Sequence, residues 1–249
     1  MLMTRTTDRR KKPVSRVKTS GAERLYRTQL RQVAKQVGAL VNGFPPGDPA
    51  VVPTIEQLLR RYAEALTPWA EATAARMLAD VERRDAQAWM AQAQEMSRSI
   101  QMELRTAPTG ETMRALMAEQ VGLIKSIPIE AAERVHRLTI EGLEDGGRAR
   151  EISKAIQESG DVAKSRADLI ARTEVTRTAT ALTQARAEHI GSSGYIWRTS
   201  GDGDVRESHR KMNGQFVAWD KPPELDGMTG HAGQFPNCRC YPEPVIPED

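Results

Sequence analysis

No glycine or proline interrupts the stretch from Trp69 to Arg105, which is built largely from Ala, Met, Glu, Gln and Arg. Such a segment lacks the residues that tight turns require and holds few of the β-branched and aromatic residues that strands favour. It predicts one long helix, or two nearly collinear ones, opening at Thr67-Pro68. A chain committed to that much helix must bury long amphipathic stripes against one another. Aromatic residues are 4% of the chain and charged residues 28%, which suits a thin core between helices better than a sandwich or barrel. Met77, Met90, Met96 and Met102 read as gap-filling core side chains, with a partner-binding stripe as the alternative.

The flanking segments extend this pattern. From Ser20, apolar residues at Leu25, Leu30, Val33, Val37, Leu40 and Val41 follow helical spacing and stop at Asn42-Gly43. The cluster Pro45-Pro46-Gly47-Asp48-Pro49 reads as a turn or linker. A second helix is expected after Pro53-Thr54, ending near Leu66. Pro108-Thr109-Gly110 predicts another break, followed by a helix from Glu111 to Ser126. Pro128 then predicts the first turn of a separate helix carrying Ala132, Val135, Leu138 and Leu143, closed by Gly146-Gly147. A short helix over 148–159 precedes a long one from about Asp161 to His189.

Beyond Gly194 the pattern changes. Tyr195 to Thr199 and Gln215 to Trp219 read as strands, Val205 to Met212 as a short helix, and Arg239 to Val245 as a last strand, with a glycine- and proline-rich loop over 220–234. The expected fold is α+β: mostly long α-helices in the N-terminal part, and a small α+β C-terminal domain with a short sheet. The expected organisation is a basic disordered arm over 1–19, a helical domain over 20–126 and a C-terminal domain over 127–249.

The net charge of +3 is unevenly placed. Residues 1–31 carry ten Lys and Arg against Asp8 and Glu23, a net of +8, so the rest of the chain sums to −5. Arg9, Arg10, Lys11, Lys12, Arg16 and Lys18 are candidate contacts to the phosphates of DNA, with a solvated tail as the alternative. No run approaches the ~20 apolar residues of a membrane-spanning helix, and no secretory signal opens the chain, so no membrane contact and a cytosolic origin are expected. The two cysteines, Cys238 and Cys240, are one residue apart. A disulfide between them would close a strained loop, so a reduced pair is expected.

Four separate signatures occur in one order: Ile170-Ala171-Arg172-Thr173-Glu174; Trp197 through Asp204, Arg206 and His209; Asn213-Gly214; and Asn237-Cys238-Arg239-Cys240. Over residues 130 to 245 they resemble the phage Mu F-like head morphogenesis proteins, the minor capsid proteins of tailed phages. The resemblance implies a protein of the phage head interior, made in the host cytoplasm. It would enter the assembling procapsid in few copies, contact the portal and other capsid or scaffold proteins, and help prepare the head for DNA packaging or delivery. It implies binding rather than catalysis. The domain also stands beside toxin and enzyme domains in some proteins, and no such domain is expected after Asp249.

Many relatives carry a Cys-x-x-Cys pair after the first strand and a His-Pro-Asn-Cys-Arg-Cys run at the end, an arrangement suited to zinc. Here Arg206 and His209 stand at the first pair and Phe235 at the histidine, and neither Arg206 nor Phe235 can ligate zinc. His209, His231, Cys238 and Cys240 can still make a His2Cys2 set if the 220–234 loop folds His231 inward. The preferred alternative has no cofactor: Cys238 packs as a small buried side chain and His209 hydrogen-bonds within the fold. Asp202, Asp204, Arg206, His209 and Cys238 are types that can serve a nuclease-like or hydrolytic enzyme, but Asp-Gly-Asp-Val-Arg is also an ordinary turn ahead of a helix. A nucleic-acid-binding protein with no capsid role is the third reading. Glu174 can pair with Arg177 or Thr178 on its own helix, tie that helix to the Arg206–His209 segment, or lie on a solvated helix face. Trp197 and Trp219 read as core.

Overall fold

The computed structural model describes residues 16–247, except 45–48, 95 and 145–148. Arg9, Arg10, Lys11, Lys12, the Pro45–Asp48 turn and the Gly146-Gly147 stop lie outside the described residues. Eight helices and five short strands follow in order among those described. The helices are α1 Ser20–Asn42, α2 Val52–Ala65, α3 Thr67–Ala93, α4 Arg98–Thr106, α5 Thr109–Glu144, α6 Ala149–Gln157 and α7 Ser159–His189, with α8 Glu207–Met212 between strands. The strands are β1 Gly194–Arg198, β2 Phe216–Ala218, β3 Glu224–Leu225, β4 Met228–Thr229 and β5 Tyr241–Pro244. The α+β fold expected from the sequence is the one observed.

The first core lies between α1, α2, α3, α5 and α7. Leu30, Val37, Leu59, Leu78, Ile124, Val135, Val175 and Leu182 are wholly inaccessible there. Each such aliphatic side chain contributes about 1.5–3 kcal/mol by leaving water. Polar contacts set the registers. Arg31 on α1 reaches both carboxylate oxygens of Asp168 on α7, at 2.7 and 2.6 Å. Deeper in, Tyr26 donates to Gln120 Oε1 at 3.1 Å, and Gln120 Nε2 donates to Glu174 at 2.7 Å, joining α1, α5 and α7.

The second core fills the space under a three-stranded antiparallel sheet of order β2-β1-β5, with Tyr195 opposite Val217 and Pro244, and Trp197 opposite Pro242. Tyr195, Trp197, Val217, Trp219, Phe235, Cys238 and Cys240 are buried in it, so the two tryptophans are core as expected. Trp89, Ala93 and Leu104 from the helical half complete it.

Four expectations change. The long helix ends at Ala93 and a new one starts at Arg98, with no glycine or proline to mark the place: Ser97 is extended (φ −60, ψ 156) and its Oγ accepts from Ile100 N at 3.4 Å, capping α4. In one straight helix Trp89 and Leu104 would be about 22 Å apart, and the break lets both enter the same core. Conversely, α5 runs unbroken through Pro128. A proline inside a helix costs about 3 kcal/mol. Burial of Ile124, Ile127, Ala131, Ala132 and Val135 on either side of it offsets that cost. The boundary expected between 126 and 127 falls inside this helix, and each core draws residues from both sides of it. Finally, the 220–234 loop contains the small hairpin β3-β4.

The described end of the basic arm is packed. The Arg16 guanidinium lies 5.0 Å from the centre of the Tyr241 ring and donates to Arg239 O at 3.4 Å, while Lys18 O accepts from Arg84 at 3.2 Å. The disorder expected up to Thr19 therefore does not extend over residues 16–19. Among the described residues no helix is long and apolar enough to cross a membrane.

Candidate functional site

Helix α7 presents Thr173, Thr176, Thr180 and Thr183 at three- and four-residue spacing, along one face. Three of these hydroxyls hold the C-terminal segment or the neighbouring helix. Thr173 Oγ1 accepts from Asn237 N at 3.1 Å, Thr180 Oγ1 donates to Ala232 O at 2.7 Å, and Thr183 Oγ1 donates to Asp85 at 2.6 Å. Gly233, at φ +90, lies against this face: a Cβ there would stand 2.6 Å from Thr180 Oγ1 and 2.9 Å from Cys240 O. The Arg-Thr-Glu signature and the Asn-Cys-Arg-Cys signature, 64 residues apart, thus meet through Thr173 and Asn237.

The other members of the first signature face elsewhere. Glu174 is buried, bonded to Gln120, with Arg177 at 3.7 Å. Burial holds its carboxyl above the usual carboxylate range. Of the alternatives the sequence offered, Glu174 takes the pairing with Arg177 on its own helix rather than the link to Arg206–His209, and Thr173 ties α7 to Asn237. Arg172 lies 3.7 Å from Glu23 on α1.

Latching the loop to α7 brings Cys238 and Cys240 under β1, where α8 delivers His209. His209 Nδ1 is 3.4 Å from Cys238 Sγ and 3.6 Å from Cys240 Sγ. Trp197 meets the imidazole edge-on at 5.4 Å, and Phe235 packs against it at 4.9 Å. Phe235 is therefore a wall of the site. Both thiols are free and buried. The Cys238 thiol is pushed down to about 4 by donation from the Cys240 thiol, and then by His209 and the backbone N–H groups of Cys240 and Gly233, against the opposing effect of burial. Cys240 is pushed up by its bond to the Cys238 sulfur and by burial. The two thiols are thus shifted in opposite directions, Cys238 down and Cys240 up.

His209, Cys238 and Cys240 place one ligand atom each within 4.8 Å of one another. Zinc bonds of about 2.3 Å to sulfur and 2.0–2.1 Å to nitrogen, at tetrahedral angles, put S and N about 3.5 Å apart. The observed 3.4 and 3.6 Å match, so these residues fit a zinc-class cation as three ligands, all through atoms that face each other. His231 is not among them. Its Nδ1 lies 3.3 Å from the Tyr195 hydroxyl, its ring packs edge-on to Tyr195 and Trp219, and burial pushes its pKa down. The candidate His2Cys2 set is thus reduced to three donors, because β1 and Trp219 hold His231 in the aromatic core.

A cleft of about 210 Å³ opens beside the cysteines, lined among others by Arg172, Asp202, Asp204, Arg206 and Arg239. Its charged groups are mostly engaged with one another. Asp202 Oδ1 accepts from Asp204 N at 3.2 Å, closing the Asp-Gly-Asp turn, and Arg239 pairs with Asp202 at 3.3 Å and Asp204 at 3.1 Å. Arg206 donates to Pro236 O at 2.8 Å, and Asn213 Oδ1 accepts from Thr199 N at 3.1 Å before Gly214 turns at φ +85. These signature residues brace loops against each other. Sequence reasoning missed Asp226 and Ser208, which lie beside His209; an Asp-Gly hairpin turn at 226–227 was the available signal.

The segment that carries these contacts also matches a known family model. The family model described as Phage Mu protein F like protein matches residues 133–242. An uncharacterized protein of Haemophilus influenzae is 35% identical over 144 residues, 57% of this chain and 32% of its own length. A protein of Enterococcus faecalis named NAD(+)--arginine ADP-ribosyltransferase EFV is 31% identical over 128 residues, 47% of this chain and 26% of its own length. The chain thus spans a third or less of these curated relatives. No solved structure matches it.

Proposed function

Since residues 133–242 belong to the Phage Mu protein F like family, we propose that the chain is a minor capsid protein of phage head morphogenesis that works by binding and positioning. The observation that carries this reading is the family match over the segment whose signatures interlock, Thr173 with Asn237 and His209 with Cys238 and Cys240. Its partners in this reading are the portal and other capsid or scaffold proteins inside the assembling head, and DNA for the basic arm. The long helices present the protein-binding surface. The three donors would hold a zinc-class cation that cross-links α8 to the Cys238–Cys240 loop, in the manner of a structural zinc.

The cleft beside the cysteines supports binding over catalysis, because Asp202, Asp204 and Arg239 neutralise one another there. The enterococcal relative shares only 26% of its length. We take the shared part as a common domain rather than the carrier of transfer chemistry.

Co-purification with the portal protein of the same genome tests the proposal, using the full chain and a form lacking residues 1–15, each with and without DNA. Cutting farther, into α1, would remove Ala22, Tyr26 and Leu30 from the first core. The expected result is portal capture by both forms and salt-dependent DNA binding by the full chain alone. Failure of both forms to hold the portal overturns the capsid reading. DNA binding without portal capture would favour a nucleic-acid-binding protein. Hydrolysis of nucleic acid that His209→Ala abolishes would favour an enzyme.

A further inference from the structure

His209 is 2% exposed, and while its Nδ1 faces both sulfurs its Nε2 has no hydrogen-bond partner. Leaving a polar nitrogen buried and unpaired is costly, and a folded chain normally supplies a partner. One group stands ready: Asp226 Oδ2 lies 4.0 Å from Nε2. Asp226 occupies the β3-β4 turn at φ 54, a left-handed conformation that Asp tolerates better than most residues. The same Oδ2 accepts a hydrogen bond of 2.9 Å from Ser208, the neighbour of His209 on α8. The hairpin is thereby tied to the helix that carries the histidine, with its carboxylate against the ring.

We propose that Asp226 is the positioning residue of a metal site: it holds His209 with Nδ1 directed at a zinc-class cation shared with Cys238 and Cys240. The proposal stands independently of the capsid reading. Imidazole that binds a cation through one nitrogen keeps its proton on the other, and a carboxylate accepting that proton fixes the ring and makes it a better ligand. The 4.0 Å separation lies outside hydrogen-bond range. Without the cation, Nδ1 faces the Cys238 sulfur at 3.4 Å. Ligation at Nδ1 puts the proton on Nε2 and supplies Asp226 with a second donor beside Ser208. The arrangement also accounts for a charged side chain at a positive-φ position where glycine would be easier.

The test uses the full chain, stripped with chelator under reducing conditions and titrated first with cobalt(II) and then with zinc in competition against a chelator of known affinity. The wild type is expected to take up one ion per chain, with thiolate-to-cobalt charge-transfer absorption and the intense visible bands of a tetrahedral site. Asp226→Asn and Asp226→Gly should each bind at the same stoichiometry but about 10- to 100-fold more weakly. Asp226→Gly relieves the turn, so a loss there cannot come from backbone strain. Circular dichroism and thermal unfolding of the metal-free variants establish that both are folded. Absence of metal uptake by the wild type overturns the site. Full affinity in both Asp226 variants overturns the role of Asp226, and undiminished binding by Cys238→Ser overturns the ligand set.

Discussion

Gly233 is where the cysteine loop turns against α7, and two requirements meet at it. Its φ of +90 disfavours any L side chain, and a Cβ would collide with Thr180 Oγ1 and Cys240 O. Gly233→Ala should therefore destabilise the protein by about 2–4 kcal/mol, from the left-handed conformation together with overpacking, measured by urea unfolding. Thr180→Val, which leaves Ala232 O buried and unpaired, should cost about 1–3 kcal/mol by the same measurement. A second residue-scale case is Asp85, wholly buried on α3 and bound to Thr183 and Arg186 of α7, with Glu82 also on Arg186 at 2.6 Å. Burial pushes the Asp85 carboxyl up to about 6, against the opposing pull of Arg186 and Thr183. A carboxyl whose pKa is raised on folding contributes stability that is complete below its unfolded value near 3.9 and is lost as pH rises through about 6. Thermal unfolding should accordingly show the wild type losing stability relative to Asp85→Asn between about pH 4 and 7; parallel profiles would contradict this. Arg186→Met, which strands a buried acid, should cost about 3–5 kcal/mol at neutral pH. Of these residues the sequence places only Gly233, within the glycine- and proline-rich loop over 220–234. It does not mark Asp85 and Arg186 as partners, because 101 residues separate them and nothing local to either names the other.

Helices α1 and α7 cross at Gly38 and Gly160, where a Cβ on Gly160 would lie 2.9 Å from Gly38 Cα. Alanine is intrinsically better than glycine in a helix by about 1 kcal/mol, whereas forcing backbone apart in a packed interface costs about 1–3 kcal/mol. Gly160→Ala should therefore be net destabilising. Gly122 on α5 is the control: a methyl group added there would meet no atom within 4 Å, so Gly122→Ala should stabilise by up to about 1 kcal/mol. Equal effects of the two substitutions in thermal unfolding would contradict the close crossing. At the start of α4, Ser97→Ala removes the cap and should cost about 0.5–1 kcal/mol. Element existence is legible throughout the sequence: α1, α2, α7, α8, β1, β2 and β5 stand close to where periodicity and glycine–proline punctuation put them. Element continuity is not. Ser97 ends a run with no breaker, and Pro128 fails to end one, because in both places burial of residues far along the chain outweighs local preference.

Across the whole molecule the two cores interpenetrate. Trp89, Ala93 and Leu104 lie in the core beneath the sheet, while Val175 and Leu182 of α7 lie in the core of the helices. A fragment of residues 127–249 should therefore be largely unfolded in isolation, with the dispersed amide resonances of a native fold returning only when residues 16–126 are supplied; a well-dispersed spectrum from the fragment alone would show that it folds independently. The same long-range packing decides the site. His209, His231, Cys238 and Cys240 are equal candidates in the sequence, and the fold separates them: the α7 threonines carry the cysteines to His209, and the Tyr195–Trp219 pair keeps His231 away. By itself the sequence determined most of the helical and strand segments, the unbridged cysteine pair and the match of residues 133–242 to a family model, because each depends on backbone sterics, residue order or neighbours in the chain. Only the tertiary structure decided where α3 ends, that α5 continues through proline, that Glu174 bonds Gln120, and that Asp226 stands beside His209. Those outcomes are set by burial and pairing between residues that are mostly tens of positions apart, whose energies no local pattern encodes.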